Sequence, residues 1–194
     1  MNSGESRFYY VGLLKAAEIH GATHQAVMEH QALSDKQLPR LSAGRSTVAF
    51  YFRKDMEAVT EGIVEHKTDA GYIKMPGPEL TALDLLRYPH AAGGIDHIAT
   101  LLTDLGAKLN PPTLGFLATA YGRNGVQRLG FLLDYLGSDG AARQLLRMLE
   151  NTTGITWTEL DPPPRSTDPD LVHPVTEKNR RWRMIVRRPV EVDE

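Results

Sequence analysis

Four helical stripes follow one another between residues 94 and 150, and they constrain the fold more than any other feature of the chain. Ile95, Ile98, Ala99 and Leu102 recur at the spacing of one helical face, and Leu114, Leu117, Ala118 and Tyr121 repeat it. Val126, Leu129, Leu133 and Leu136 make a third stripe, and Ala142, Leu145, Leu146 and Leu149 a fourth. The punctuation agrees: Asn110-Pro111 reads as an N-cap followed by a first helical residue, Gly137 as a helix stop, and Ser138 or Asp139 as the next N-cap. Links this short imply antiparallel neighbours.

The flanking zones read differently. Within residues 6–90, Tyr10, Leu13, Leu14 and Ala17 form a helical stripe that Gly21 stops. Ser46–Arg53 is rich in β-branched and aromatic residues and reads as a strand, and Gln25–Leu33 as another. Thr60–Thr68 and Gly71–Met75 flank a short turn at Asp69-Ala70-Gly71, which predicts a hairpin. Pro78 opens a helix that carries Glu79 in its first turn and runs to Tyr88, before Pro89. In residues 151–194, Ile155–Leu160 looks like a strand, and 161–174 holds five of the twelve prolines and reads as a loop. Trp182, Met184 and Val186 then alternate with Arg181, Arg183 and Arg187, a strand expected to close onto the sheet of the first zone. The expectation is one α+β domain over 1–194: a mixed sheet, built from the N-terminal half and the C-terminal strands, packed against a helical bundle.

Composition narrows the function. The 194 residues carry 22 Lys+Arg against 24 Asp+Glu, a formal charge of −2, which argues against a nucleic-acid binder driven by net charge and leaves room for a local basic patch. Cysteine is absent, which excludes disulfides, thiolate metal sites and cysteine nucleophiles and fits a reducing compartment. No run of 18 apolar residues and no signal-peptide pattern is present, so a cytoplasmic protein without a membrane partner is expected.

Candidate chemistry is sparse. His20 and His24 are four apart, a zinc-like spacing, but Gly21 lies between them, and two hydrogen-bonded loop histidines account for the pair more simply. Glu65 and Lys67 share one face of a predicted strand, with Asp55 upstream; this is the pattern of a Mg²⁺-dependent nuclease, but Glu-x-Lys arises by chance on many exposed strands and a solvated face accounts for it more simply. Glu79 and Asp84 lie about 140° apart around their helix and cannot pair, so Asp84 is expected to partner an Arg or Tyr. Gly-rich phosphate loops and nucleophile elbows are absent, and no cofactor is implied.

The most distinctive feature is basic. Lys178, Arg180, Arg181, Arg183, Arg187 and Arg188 fall within eleven residues that hold no acid, and Arg128, Arg143 and Arg147 add to them from the helical zone. Arginine suits bidentate contact with carboxylate or phosphate, so these residues are the candidate surface for an acidic partner or a nucleic-acid backbone. No helix pairs an apolar stripe with a dense basic face, which ranks a DNA-binding transcriptional regulator below an interaction module.

Four colinear segments resemble one family. Phe8–Gly21 (FYYVGLLKAAEIHG), Gly71–Tyr88 (GYIKMPGPELTALDLLRY), Gln127–Leu136 (QRLGFLLDYL) and Arg181–Asp193 (RWRMIVRRPVEVD) resemble the C-terminal domain of AbiEi-type antitoxins of type IV toxin–antitoxin and phage abortive-infection systems. The resemblance implies a non-enzymatic antitoxin or regulator, whose operon partner would be an AbiEii-type nucleotidyltransferase toxin, a functional partner with which contact need not be direct. In that family a winged helix normally precedes the domain, and the match here starts by residue 8. The closing strand departs from the family pattern in carrying Arg187-Arg188-Pro189 after Ile-Val, which makes that edge more basic.

Overall fold

A computed structural model describes residues 8–23, 27–163, 168 and 171–193. Its centre is the helix α2 (Pro78–Arg87), in which every residue from Glu79 to Leu86 is buried. A helix buried all round must be wrapped on all sides. Here α1 (Leu13–Ile19), α3 (Ile95–Gly106), α4 (Pro111–Ala118) and α5 (Arg123–Tyr135) all pack on it, and α6 (Asp139–Glu150) lies against α4 and α5. The α+β class is as expected, and so are the helices over the four stripes. The Asn110 side chain accepts from Thr113 N at the start of α4, and Gly21 and Gly137 take the left-handed conformation after α1 and α5.

The strands form three sheets. The first has the order β1-β2-β4-β3 and comprises β1 (Tyr9–Val11), β2 (Glu29–Ser34), β3 (Leu41–Ala43) and β4 (Ser46–Phe52), with β2 parallel to β4. Its inner face, which includes Tyr10, Leu33 and Tyr51, meets the helices. The second is the hairpin of β5 (Ile63–Thr68) and β6 (Gly71–Pro76). The third, in the order β7-β9-β8, joins β7 (Thr158–Glu159), β8 (Glu177–Asn179) and β9 (Met184–Val186).

This third sheet corrects one expectation. The C-terminal strand does not close onto the first sheet; its partners are the two segments nearest to it in sequence, and its apolar side faces α5. The predicted alternation survives in burial, since Trp182, Met184 and Val186 are all buried, but Trp182 sits in the turn before β9. Three boundaries also differ. Tyr10 belongs to a strand, because the backbone stays extended through Gly12 and α1 begins only at Leu13. The first hairpin strand starts at Ile63, since Met56–Gly62 forms a 3₁₀ helix. The strand predicted at 155–160 is reduced to two residues. No helix among the described residues is long and apolar enough to cross a membrane.

Candidate partner-binding groove

The site is assembled by one close approach. Gly130, on α5, faces the indole of Trp182, and a Cβ added there would meet three atoms of the indole's six-membered ring, the farthest at 2.8 Å. Trp182 Nε1 donates to Asp134 Oδ2 at 2.8 Å, one turn further along α5. Buried Gln127 donates to the carbonyl oxygens of Trp182 (2.9 Å) and Thr156 (3.0 Å) and accepts from Thr158 Oγ1. These bonds leave no buried amide unsatisfied on that side chain and fasten the C-terminal sheet to α5.

The chain therefore crosses α5 with its 180–183 turn beside the end of α6. Between them lies an open groove of about 620 Å³. Leu146 and Leu149 of α6, Ile155 and Trp182 supply its apolar surface, and Glu150, Arg180, Arg181 and Arg183 its charges. Arg181 grips Asp134 through Nη1, at 3.1 Å to each oxygen. Arg183, held at φ +47, donates to the Ile155 carbonyl and has no acidic partner among the described residues. Arg180 is exposed and likewise has no acidic partner there. Arg143 and Arg147 lie exposed on α6, about 60° and 100° around the helix from Leu146.

The other predicted arginines lie elsewhere and are already engaged. Arg187 forms a fork on Glu159, with Nη2 at 2.8 Å and Nε at 3.0 Å, and also donates to the His173 carbonyl. Arg188 bridges Asp96 (2.7 Å) and Asp161 (2.9 Å). Arg128 Nε donates to the Glu159 carbonyl at 2.8 Å, and burial pushes its guanidinium below the usual arginine range. The structure thus divides the basic cluster: Arg180, Arg181 and Arg183 line one groove, and Arg128, Arg187 and Arg188 are tied down beyond it.

The remaining candidates do not converge. Glu65 lies opposite Lys74 and Lys67 opposite Tyr72 on an exposed hairpin face, while Asp55 is held by Arg53 and Arg87. No group of three or more His, Asp or Glu residues among the described residues is placed to hold a metal ion. His20 Nε2 bonds to the Pro76 carbonyl at 2.8 Å, and His24 lies outside the described residues. Glu79 accepts from Asn110 N at 2.6 Å.

A buried polar cluster was only half legible. Asp84 has the Arg and Tyr partners expected of it: Arg53 Nη1 at 2.8 Å, Tyr121 Oη at 2.5 Å and Tyr10 Oη at 2.6 Å. Arg53 and Asp84 are both fully buried. Burial raises the Asp84 pKa against the pull of Arg53 and the two phenols, and burial together with the Asp84 charge keeps both phenols protonated as donors. Arg53 escaped the sequence reading because it ends a strand-like run like any exposed cation. The cluster joins β1, α2, the segment after β4 and the link between α4 and α5, so it serves the frame of the domain.

The first two sheets and the helices α1 to α5 belong to a recognised class of domain. The chain belongs to the family of AbiEi antitoxin C-terminal domains, whose family model matches residues 10–135. The fold is also similar to the crystal structure of the RV2827C protein from Mycobacterium tuberculosis, at a TM-score of 0.63 and 16% identity, over 92% of this chain. This chain spans 62% of the length of that one. No curated protein matches the chain. The matched stretch includes the Arg53–Asp84 cluster, Gly130 and Asp134, and all the residues that line the groove lie beyond it.

Proposed function

We propose that this domain is the antitoxin-side module of a toxin–antitoxin system of the abortive-infection, phage-defence kind. It restrains a nucleotidyltransferase-type toxin and makes or breaks no covalent bond itself. The observation that carries the reading is the family match over residues 10–135. The arrangement of charges supports it, since three exposed arginines stand on a structured turn with an apolar floor beside them. Such a surface recognises a partner by charge and shape. The part of the basic cluster available for this is Arg180 and Arg183, because Arg181, Arg187 and Arg188 are paired with acids inside the domain.

The test is growth rescue. Cells expressing the nucleotidyltransferase encoded beside this gene should recover when the full chain is co-expressed. Failure of the wild-type chain to restore growth, at a level where it accumulates folded, overturns the reading.

A further inference from the structure

We propose that the groove between α6 and the 180–183 turn binds an acidic protein segment in extended form, with carboxylates on Arg180 and Arg183 and an apolar side chain on Leu146 and Ile155. The inference rests on the antitoxin reading only for which protein brings that segment.

Three observations select this occupant. The first is charge. Arg180 and Arg183 have no acid partner among the described residues, Arg183 donating only to the Ile155 carbonyl, whereas Arg187 and Arg188 are each bound to acids of their own domain. An arginine fork left open at the edge of a groove is matched by a carboxylate.

The second is the apolar surface. Half-buried Leu146 and Ile155, backed by buried Leu149 and Trp182, give the groove an apolar side, which an apolar side chain covers and a sugar-phosphate chain does not. The third is the end of α6. Its last turn, with Glu150 and the following Thr152 and Thr153, forms one wall. A helix C-terminus presents carbonyl oxygens and partial negative charge. A peptide answers that wall with backbone N–H donors while its carboxylates meet the arginines opposite. A nucleic-acid backbone, which offers a repeating anion, meets Glu150 and the helix end with like charge.

The experiment titrates the isotopically labelled full chain by NMR with three probes. These are a dodecapeptide of Asp-Leu-Glu repeats, the same peptide as Asn-Leu-Gln repeats, and a twelve-nucleotide oligodeoxythymidine. The acidic peptide should shift the amides of residues 146–155 and 180–183. The neutral peptide should not, and R180E/R183E should weaken acidic-peptide binding by at least about tenfold. Both substituted side chains are exposed, so an unchanged far-UV spectrum and Tm are expected of that variant; R180K/R183K, which keeps the charge, should retain most of the binding. The inference is overturned if the acidic peptide leaves those amides unmoved, or if the oligonucleotide moves them more strongly than the peptide does. Growth rescue is scored independently: a wild-type chain that binds the peptide but fails to rescue cells defeats the antitoxin reading and leaves the groove assignment standing.

Discussion

Gly130 is a glycine because Trp182 stands where its side chain would be. The indole lies against the bare backbone of α5 with its Nε1 on Asp134, so a residue near the C-terminus closes the contact that positions the whole third sheet. Gly130→Ala should therefore destabilise the domain by about 1–3 kcal/mol through overpacking, although alanine is the better helix former. Denaturant unfolding measures the loss, and pairing the change with Trp182→Leu should give a total well below the sum of the two singles. Strict additivity would show that the two residues do not share this space.

The Arg53–Asp84 pair makes the second prediction. Asp84→Ala leaves a guanidinium fully buried without its main carboxylate, which should cost about 3–5 kcal/mol. Replacing both, as Arg53→Met with Asp84→Leu, should recover most of that loss, since the desolvation penalty disappears along with the attraction. Tyr10→Phe and Tyr121→Phe should each cost about 1 kcal/mol. Equal losses in the single and double charge variants would contradict this account.

The split of the basic cluster predicts a split in phenotype. Arg180→Ser with Arg183→Ser should abolish growth rescue and leave Tm within error, because neither side chain holds an ion pair in the fold. Arg187→Ser with Arg188→Ser should do the reverse, preserving rescue while loosening the links to Glu159, Asp96 and Asp161. Loss of rescue confined to the second pair would place the working surface on the other side of the domain.

The fourth prediction concerns pH. Partial burial, reinforced by the Lys108 charge, holds the His20 pKa below the ordinary value of 6.5, against the raising effect of its bond to Pro76. The unfolded chain then binds the proton more readily than the folded one. The stability from neutral His20 is complete above the unfolded value and is lost as pH falls from there through the folded one. Tm should drop as pH is lowered from 7.5 to 5.5, and His20→Gln should flatten that part of the profile. Identical slopes in the two proteins would exclude His20 as the source.

Much of this architecture was written locally in the chain. The four helical stripes, the hairpin turn before Gly71, the cap at Asn110 and the stops at Gly21 and Gly137 each depend on residues within one or two turns of one another. Periodicity and backbone preference act at that range, so the α+β class and most of the helices follow from the order of residues alone. The position of Asp84, about 140° around the helix from Glu79, likewise marked it as a carboxylate to be partnered by an Arg or Tyr.

What the order of residues could not decide was which charges remain available. The arginines between 180 and 188 form one continuous basic run, yet the acids that engage three of the five, Asp134, Glu159, Asp96 and Asp161, arrive from α5, from α3 and from the strand and loop around residue 160. Electrostatic pairing depends on distance in space and falls off over a few ångströms once water intervenes. Only the tertiary fold, set by the fit of Trp182 onto Gly130, separates the arginines that hold the domain together from those left facing a groove.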